Sequence, residues 1–290
     1  MEPLFDYLQA FSRNIGWVTR SEQEILKKKR IAIAGMGGVG GIHLLTLARL
    51  GVGAFNISDP DVFELVNFNR QAGAMMSTIG KSKAETLARM AWDINPELDI
   101  RIFSNGITIE NVREFLFGCD QYVDGMDFFA FDIREALFTT CYQLEIPATT
   151  AAPLGMGAAL LNFLPGRMTF QEFFCWEGLS KEEKALHYLL GISPARLQFP
   201  YLVDQSAVNL EERKGPSTPM ACQLCAGIVA TEVLKVQLKR GNVLAAPWGM
   251  QFDPYRNRLV RTWRPGGNHN PIQKVSLAIA RRRLEAMRKE

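Results

Sequence analysis

Histidine and cysteine are scarce in this chain, with three and five copies among 290 residues. An odd handful of cysteines in a chain this long does not form a disulfide framework, and a reducing, cytoplasmic setting is expected. Only one Cys-x-x-Cys pair occurs, Cys222 and Cys225. A closed zinc site takes four ligands. Cys119 and Cys141 fall near or in core elements, and His43, His187 and His269 are scattered, so no zinc site is expected. Long apolar runs are also missing. The most apolar stretch, 188–203, is interrupted by Gly191, Pro194, Arg196 and Pro200, and no run approaches the ~20 residues that span a bilayer. The first residues carry early acids and no basic n-region, which argues against a secretory signal. Net charge is low, at +3, too weak by itself to imply a nucleic-acid partner.

What is present is ordinary globular material: 47% hydrophobic and 22% charged residues, without internal repeats. That suits one large α/β domain or a domain with a substantial second half. The pattern predicts a helical arm over 1–30, ending in the basic run Lys27–Arg30, then regular alternation. Short apolar strands are predicted at 31–34, 54–58, 99–103, 121–124 and 147–151. Helices are predicted at 40–50, 82–94, 111–117 and 132–144. This order implies a Rossmann-like, doubly wound, mostly parallel sheet over 31–165. The second half, 166–270, reads as an added antiparallel part of the same domain. A strand at 158–164 closes the first part; the second then holds an irregular stretch at 166–216, a helix from Thr218-Pro219 to about Arg240, and a hairpin at 251–263. Thr as N-cap with Pro at the first helical position is a strong helix start. Residues 271–290 read as a basic helical tail with Arg281, Arg282 and Arg283.

The chemistry concentrates between Ile31 and Lys83. Gly35, Gly37, Gly38 and Gly40 lie between the first strand and first helix. Glycines there permit a tight turn and a close backbone approach to phosphate, and the helix N-terminus favours an anion. Alone this motif also fits a dehydrogenase. Asp59 ends the second strand, where an acid hydrogen-bonds a ribose hydroxyl. Beyond it come Asn67-Phe68-Asn69-Arg70-Gln71 and Gly80-Lys81-Ser82-Lys83. Arg and Lys just past an adenosine site suit a triphosphate, the first as a planar fork and the second as a point charge.

The ordered set Gly-x-Gly-Gly-x-Gly, strand-end Asp, Asn-x-x-Arg-Gln and Gly-Lys-x-Lys resembles the E1-like adenylyltransferase superfamily of ThiF, MoeB, HesA and the ubiquitin-activating enzymes. The match covers residues 12–165 well and continues more weakly through the helix at 222–241. The resemblance implies an enzyme that uses ATP and Mg²⁺ to convert a carboxylate into an acyl-adenylate with release of pyrophosphate. It implies that Asp59 binds ribose, that Asn67 and Arg70 line the phosphate region, and that Lys83 contacts phosphate. Asp127 corresponds to the family's Mg²⁺-associated catalytic Asp. Phe128 stands where the family has Asn, and Arg134 lies further from Asp127 than its family counterpart. Arg13, in Ser12-Arg13-Asn14-Ile15, resembles an arginine that crosses to the partner's ATP in homodimers. The carboxylate in the family is often the C-terminus of a ubiquitin-like sulfur carrier or a peptide. Cys175 is the one positional candidate for a thioester cysteine.

Three rival readings remain. A tRNA-modifying cyclase of the same superfamily would use the basic tail. A non-catalytic nucleotide-binding adaptor would explain Phe128 and the lack of the second Cys-x-x-Cys pair that many members of the superfamily carry for zinc. An NAD-dependent oxidoreductase rests on the glycine turn alone. Cys222 and Cys225 lie in the first turns of a helix, where the dipole can lower a thiol pKa; packing of small buried residues is the simpler expectation.

Overall fold

Alternate residues of the first strand feed two cores. Ile31 and Ile33 enter one apolar cluster and Ala32 and Ala34 the other. A strand buried on both faces is the mark of a sheet with helices on both sides. In the computed structural model, residues 4–208 and 215–287 are described, with side chains as far as Arg282. The first three residues of the arm, 209–214 of the irregular stretch, the last three residues of the tail and the Arg283 side chain lie outside that description.

The elements in chain order are α1 (Tyr7–Ala10), α2 (Arg20–Lys27), β1 (Arg30–Ala34), α3 (Gly40–Leu50), β2 (Ala54–Ser58), α4 (Lys83–Ile94), β3 (Asp99–Phe103), α5 (Val112–Leu116), β4 (Gln121–Asp124) and α6 (Phe131–Gln143). There follow β5 (Ala148–Leu154), β6 (Gly157–Phe163), α7 (Phe170–Phe174), α8 (Lys181–Ile192), α9 (Pro219–Gln237), β7 (Trp248–Asp253), β8 (Arg258–Trp263) and α10 (Pro271–Met287). One eight-stranded sheet runs β3-β2-β1-β4-β5-β6-β7-β8. Strands β3 to β5 pair in parallel and β5 to β8 antiparallel. This is the doubly wound sheet with an antiparallel second half that the alternation implied. The order reverses between β1 and β4, the switch point at which such sheets open a crevice for ligands.

The folded chain departs from the sequence expectations in three places. The stretch 166–216 is not wholly irregular, since α7 and α8 lie within it. Thr169 and Glu172 form a capping box, and the Ser180 hydroxyl accepts the Glu183 N–H. The start signals were present, but the aromatic and proline-rich surroundings masked the helical spacing. The arm is two short helices separated by a 3₁₀ turn, and Gly16 breaks it at φ +113°. Finally, α9 is long and apolar enough to cross a bilayer by length and composition, although Cys222, Cys225, Val229 and Val233 are buried where it packs on α3, β5 and β6.

Candidate active site

Backbone segments leaving β1, entering α3 and leaving β4 meet at the site floor. Gly35 has φ +86°, and a Cβ on it would lie 2.3 Å from the Gly125 carbonyl oxygen. A Cβ on Gly40 would lie 1.7 Å from the Gly35 carbonyl oxygen. Backbone proximity alone therefore demands these glycines. Gly37 is different: a Cβ there would meet only Gln71 Nε2, at the ordinary contact distance of 3.7 Å. At Gly38 it would come to 3.2 Å from Cys222 Sγ and 3.6 Å from the Arg70 side chain. Among the described residues nothing requires glycine at 37, whereas a phosphate approaching the backbone N–H groups at the start of α3 would.

The acid at the end of β2 is tied into this turn. Asp59 is buried; its Oδ2 accepts the Met36 N–H at 2.7 Å and its Oδ1 the Asp61 N–H at 2.9 Å. Burial pushes its pKa up, against the opposing pull of those backbone hydrogen bonds. Each carboxylate oxygen retains acceptor capacity for a sugar hydroxyl. Lys83, at the first position of α4, is buried and donates to Asp61 Oδ2 at 3.0 Å, while Asp61 is exposed. A cation is thus held beside Asp59 by a partner that water can replace. Arg70 lies against Gly38 and donates to the Val66 carbonyl at 3.2 Å and to Asn69 Oδ1 at 2.9 Å. Asn67 is buried and Oδ1 accepts the Glu64 N–H at 3.0 Å, so in this structure it shapes the turn that carries Arg70.

Asp127 follows β4. Its neighbour Met126 has its Cα within 2.9 Å of the Gly35 Cβ position, which brings the Asp127 loop to the edge of the glycine turn. The Asp127 side chain is exposed, and Oδ1 accepts the Phe129 N–H at 2.9 Å. Among the described residues no group of three or more His, Cys, Asp and Glu could hold a metal ion. A single exposed carboxylate beside the glycine turn still fits Mg²⁺, which commonly takes one or two protein carboxylates and draws its other oxygens from phosphate and water.

The structure therefore gathers the glycine turn, Asp59, Arg70, Lys83 and Asp127 around the C-terminal ends of β1, β2 and β4. Arg13 is not among them. It is exposed, and the adjacent Asn14 donates to the carbonyl of Leu50, the last residue of α3. The glycine turn is at the other end of that helix, a separation of about 16 Å at 1.5 Å per residue. Cys222 and Cys225 are buried, and burial pushes both thiols up, so they behave as packing residues. Burial also raises the Cys175 pKa.

Four participants had no role assigned from sequence. Asp61 lies two residues past Asp59 and Gln71 closes the Asn-x-x-Arg-Gln motif; Gln71 is buried beside Gly37, and its Oε1 has no partner among the described residues. Cys222 meets the glycine turn from a distant helix, which no local pattern signals. Arg134 is the fourth: it pairs with Asp124 at 2.9 Å and donates to the carbonyls of the Asp127 loop.

The family model described as the ThiF family matches residues 11–275. The tRNA threonylcarbamoyladenosine dehydratase of Bacillus subtilis is 34% identical over 153 residues, 52% of this chain and 58% of that protein. The chain spans about half the length of the curated relatives it matches. Among solved structures, PaaA superposes with TM-score 0.67 at 18% identity, covering 91% of this chain and 77% of that one. Escherichia coli MccB, solved with ATP, gives TM-score 0.63 at 20% identity, covering 83% of this chain and 65% of that one. At such identities the superpositions establish the fold.

Proposed function

The chain belongs to the ThiF family, and from that premise we propose that it is an ATP-dependent adenylyltransferase acting on a carboxylate. The observation that carries this reading is the open cradle at Gly37, which has no packing reason to be glycine and is bordered by Asp59, Arg70, Lys83 and Asp127. In the proposed reaction a carboxylate oxygen attacks the α-phosphorus of ATP. The bond to the bridging oxygen breaks, and pyrophosphate leaves with the electron pair. Asp59 binds the ribose. The N–H groups at the start of α3 bind phosphate oxygens, and Arg70 and Lys83 stabilise the negative charge that grows on the phosphates. Asn67 keeps Arg70 in place. Asp127 would hold Mg²⁺, which supplies charge neutralisation on the phosphates.

For the acyl substrate we favour the C-terminus of a ubiquitin-like carrier or a peptide, activated in a cytoplasmic setting that suits five free thiols. The reaction stops at the acyl-adenylate, because no cysteine here is activated. The active unit is a homodimer. Arg13 lies too far from its own chain's turn to serve it, and Leu65 and Val66, in the turn that leads into Asn67 and Arg70, are 67% and 69% exposed, apolar surface suited to a second subunit.

One observation favours a second reading, tRNA as the substrate: the B. subtilis relative is a tRNA threonylcarbamoyladenosine dehydratase. Against it, Arg281 of the basic tail is bound by Glu183, leaving less free charge for a backbone. The test is ATP–pyrophosphate exchange run separately with ubiquitin-like carriers, with peptides and with tRNA. Exchange in the carrier or peptide arm supports the first reading. Exchange in the tRNA arm, with binding that weakens steeply with salt, replaces it with the second.

A further inference from the structure

Asp124 and Arg134 form a buried ion pair that the proposed chemistry does not use. Their side chains are 2% and 1% exposed. Burying such a pair gains little stability over apolar residues of the same volume, so its retention calls for another reason. Its hydrogen bonds suggest one. Arg134 sits in the first turn of α6, and its guanidinium turns back toward the end of β4. Nε donates to Asp124 Oδ2 at 2.9 Å. One terminal nitrogen donates to the Phe128 carbonyl at 3.1 Å, and the other to those of Met126 and Asp127 at 3.0 and 2.8 Å. Asp124 holds the same loop from the other side, its Oδ1 accepting the Met126 N–H at 3.2 Å. The Thr150 hydroxyl donates to Asp124 Oδ2 at 2.9 Å, and the Tyr188 ring lies 4.7 Å from the guanidinium carbon. Between β4 and α6 the loop has no ladder or helix of its own, so these bonds fix its path.

We propose that Arg134, held by Asp124, is the positioning residue for Asp127: by gripping three consecutive carbonyls it sets where the Asp127 carboxylate stands against the glycine turn. The inference rests on the reading of Asp127 as the Mg²⁺ carboxylate. The planar guanidinium reaches Asp124 and all three carbonyls from three separate nitrogens, whereas a lysine ammonium offers three N–H groups from a single point and cannot span the same set.

The test uses the full chain and three variants: Asp127→Ala, Arg134→Lys and the double variant Asp124→Asn/Arg134→Met. The double variant removes both buried charges together, so it is expected to melt close to the parent. Arg134→Lys keeps the ion pair and serves if the double variant does not fold. Two quantities are measured: ATP affinity with and without Mg²⁺, and hydrogen exchange of the amides from Gly125 to Phe129. Both Arg134 variants should bind ATP normally without Mg²⁺ and exchange these amides faster. Their Mg²⁺-dependent gain in affinity should shrink by about tenfold or more, the range for residues that orient a metal ligand, and Asp127→Ala should lose the same gain. A gain retained in both Arg134 variants overturns the proposal. If Asp127→Ala keeps the gain while the Arg134 variants lose it, the Asp127 reading falls and the arginine positions some other group.

Discussion

Gly37→Ala separates what the glycine turn does for the fold from what it does for a ligand. The added methyl would have one protein neighbour, Gln71 Nε2 at 3.7 Å, and Gly37 is not in a left-handed conformation. The substitution should therefore fit, and by restricting the unfolded chain it should stabilise by about 0.4–1 kcal/mol. The same methyl occupies the space through which a phosphate reaches the N–H groups of α3. Losing one charge-assisted hydrogen bond of about 1.5–3 kcal/mol should weaken ATP binding roughly ten- to hundredfold. Gly40→Ala is the reciprocal control. Its methyl would lie 1.7 Å from the Gly35 carbonyl oxygen, an overlap that should cost about 3 kcal/mol or more. Thermal melts and calorimetric ATP titrations read both effects. If Gly37→Ala melts like the parent or higher and binds ATP equally well, phosphate does not sit at this turn and the assignment of the cradle is wrong.

Other outcomes follow from the same structure. His43 is fully buried with both ring nitrogens unpartnered, and burial pushes its pKa down to about 4 from 6.5, with Asp124 opposing the shift. Between those values the unfolded chain binds a proton that the folded chain does not. The His43 contribution is therefore unimpaired above pH 6.5 and is lost as pH falls toward 4, by about 3 kcal/mol in all. Urea unfolding of His43→Leu against the parent should show that difference, and parallel pH profiles would refute it. Chelation of divalent ions should leave the melting temperature of the ligand-free chain unchanged; a fall of several degrees would reveal a structural metal. Arg13→Ala and Asp127→Ala chains, each inactive alone, should regain activity when mixed, because one subunit then offers an intact site and its partner an intact Arg13. Absence of recovery would count against an arginine acting across the dimer.

The parts of the site written in local sequence were legible there. Gly35, Gly40 and Asp59 occupy positions where strand, turn and helix follow one another within a few residues, so spacing alone places them. Lys83 and Arg70 came from an ordered motif. The residues that arrange the site from elsewhere were not legible. Arg134 acts through carbonyls of a loop whose path no propensity encodes, and Cys222 reaches Gly38 from the last helix of the sheet's second half. Helices α7 and α8 show a different kind of miss: Thr169 with Glu172 and Ser180 with Glu183 spelled their starts, but the aromatics around Phe170–Trp176 and the prolines at 194 and 200 suggested irregular chain. Those aromatics are core, packed on Tyr188 and Phe163. The Asp127 assignment comes from the resemblance, whereas the bonds from Arg134 and Asp124 to its loop are visible only in the folded chain.

The most direct test of adenylation is the fate of ATP in the presence of Mg²⁺ and a carboxylate-bearing substrate. Exchange of labelled pyrophosphate into ATP, dependent on the carboxylate and abolished by Asp127→Ala, is the expected result, with AMP and pyrophosphate as products of turnover. Tight ATP binding without exchange on any carrier, peptide or tRNA would contradict adenylation and make the chain a nucleotide-binding adaptor. ADP and phosphate as the products would move the chemistry to the γ-phosphate.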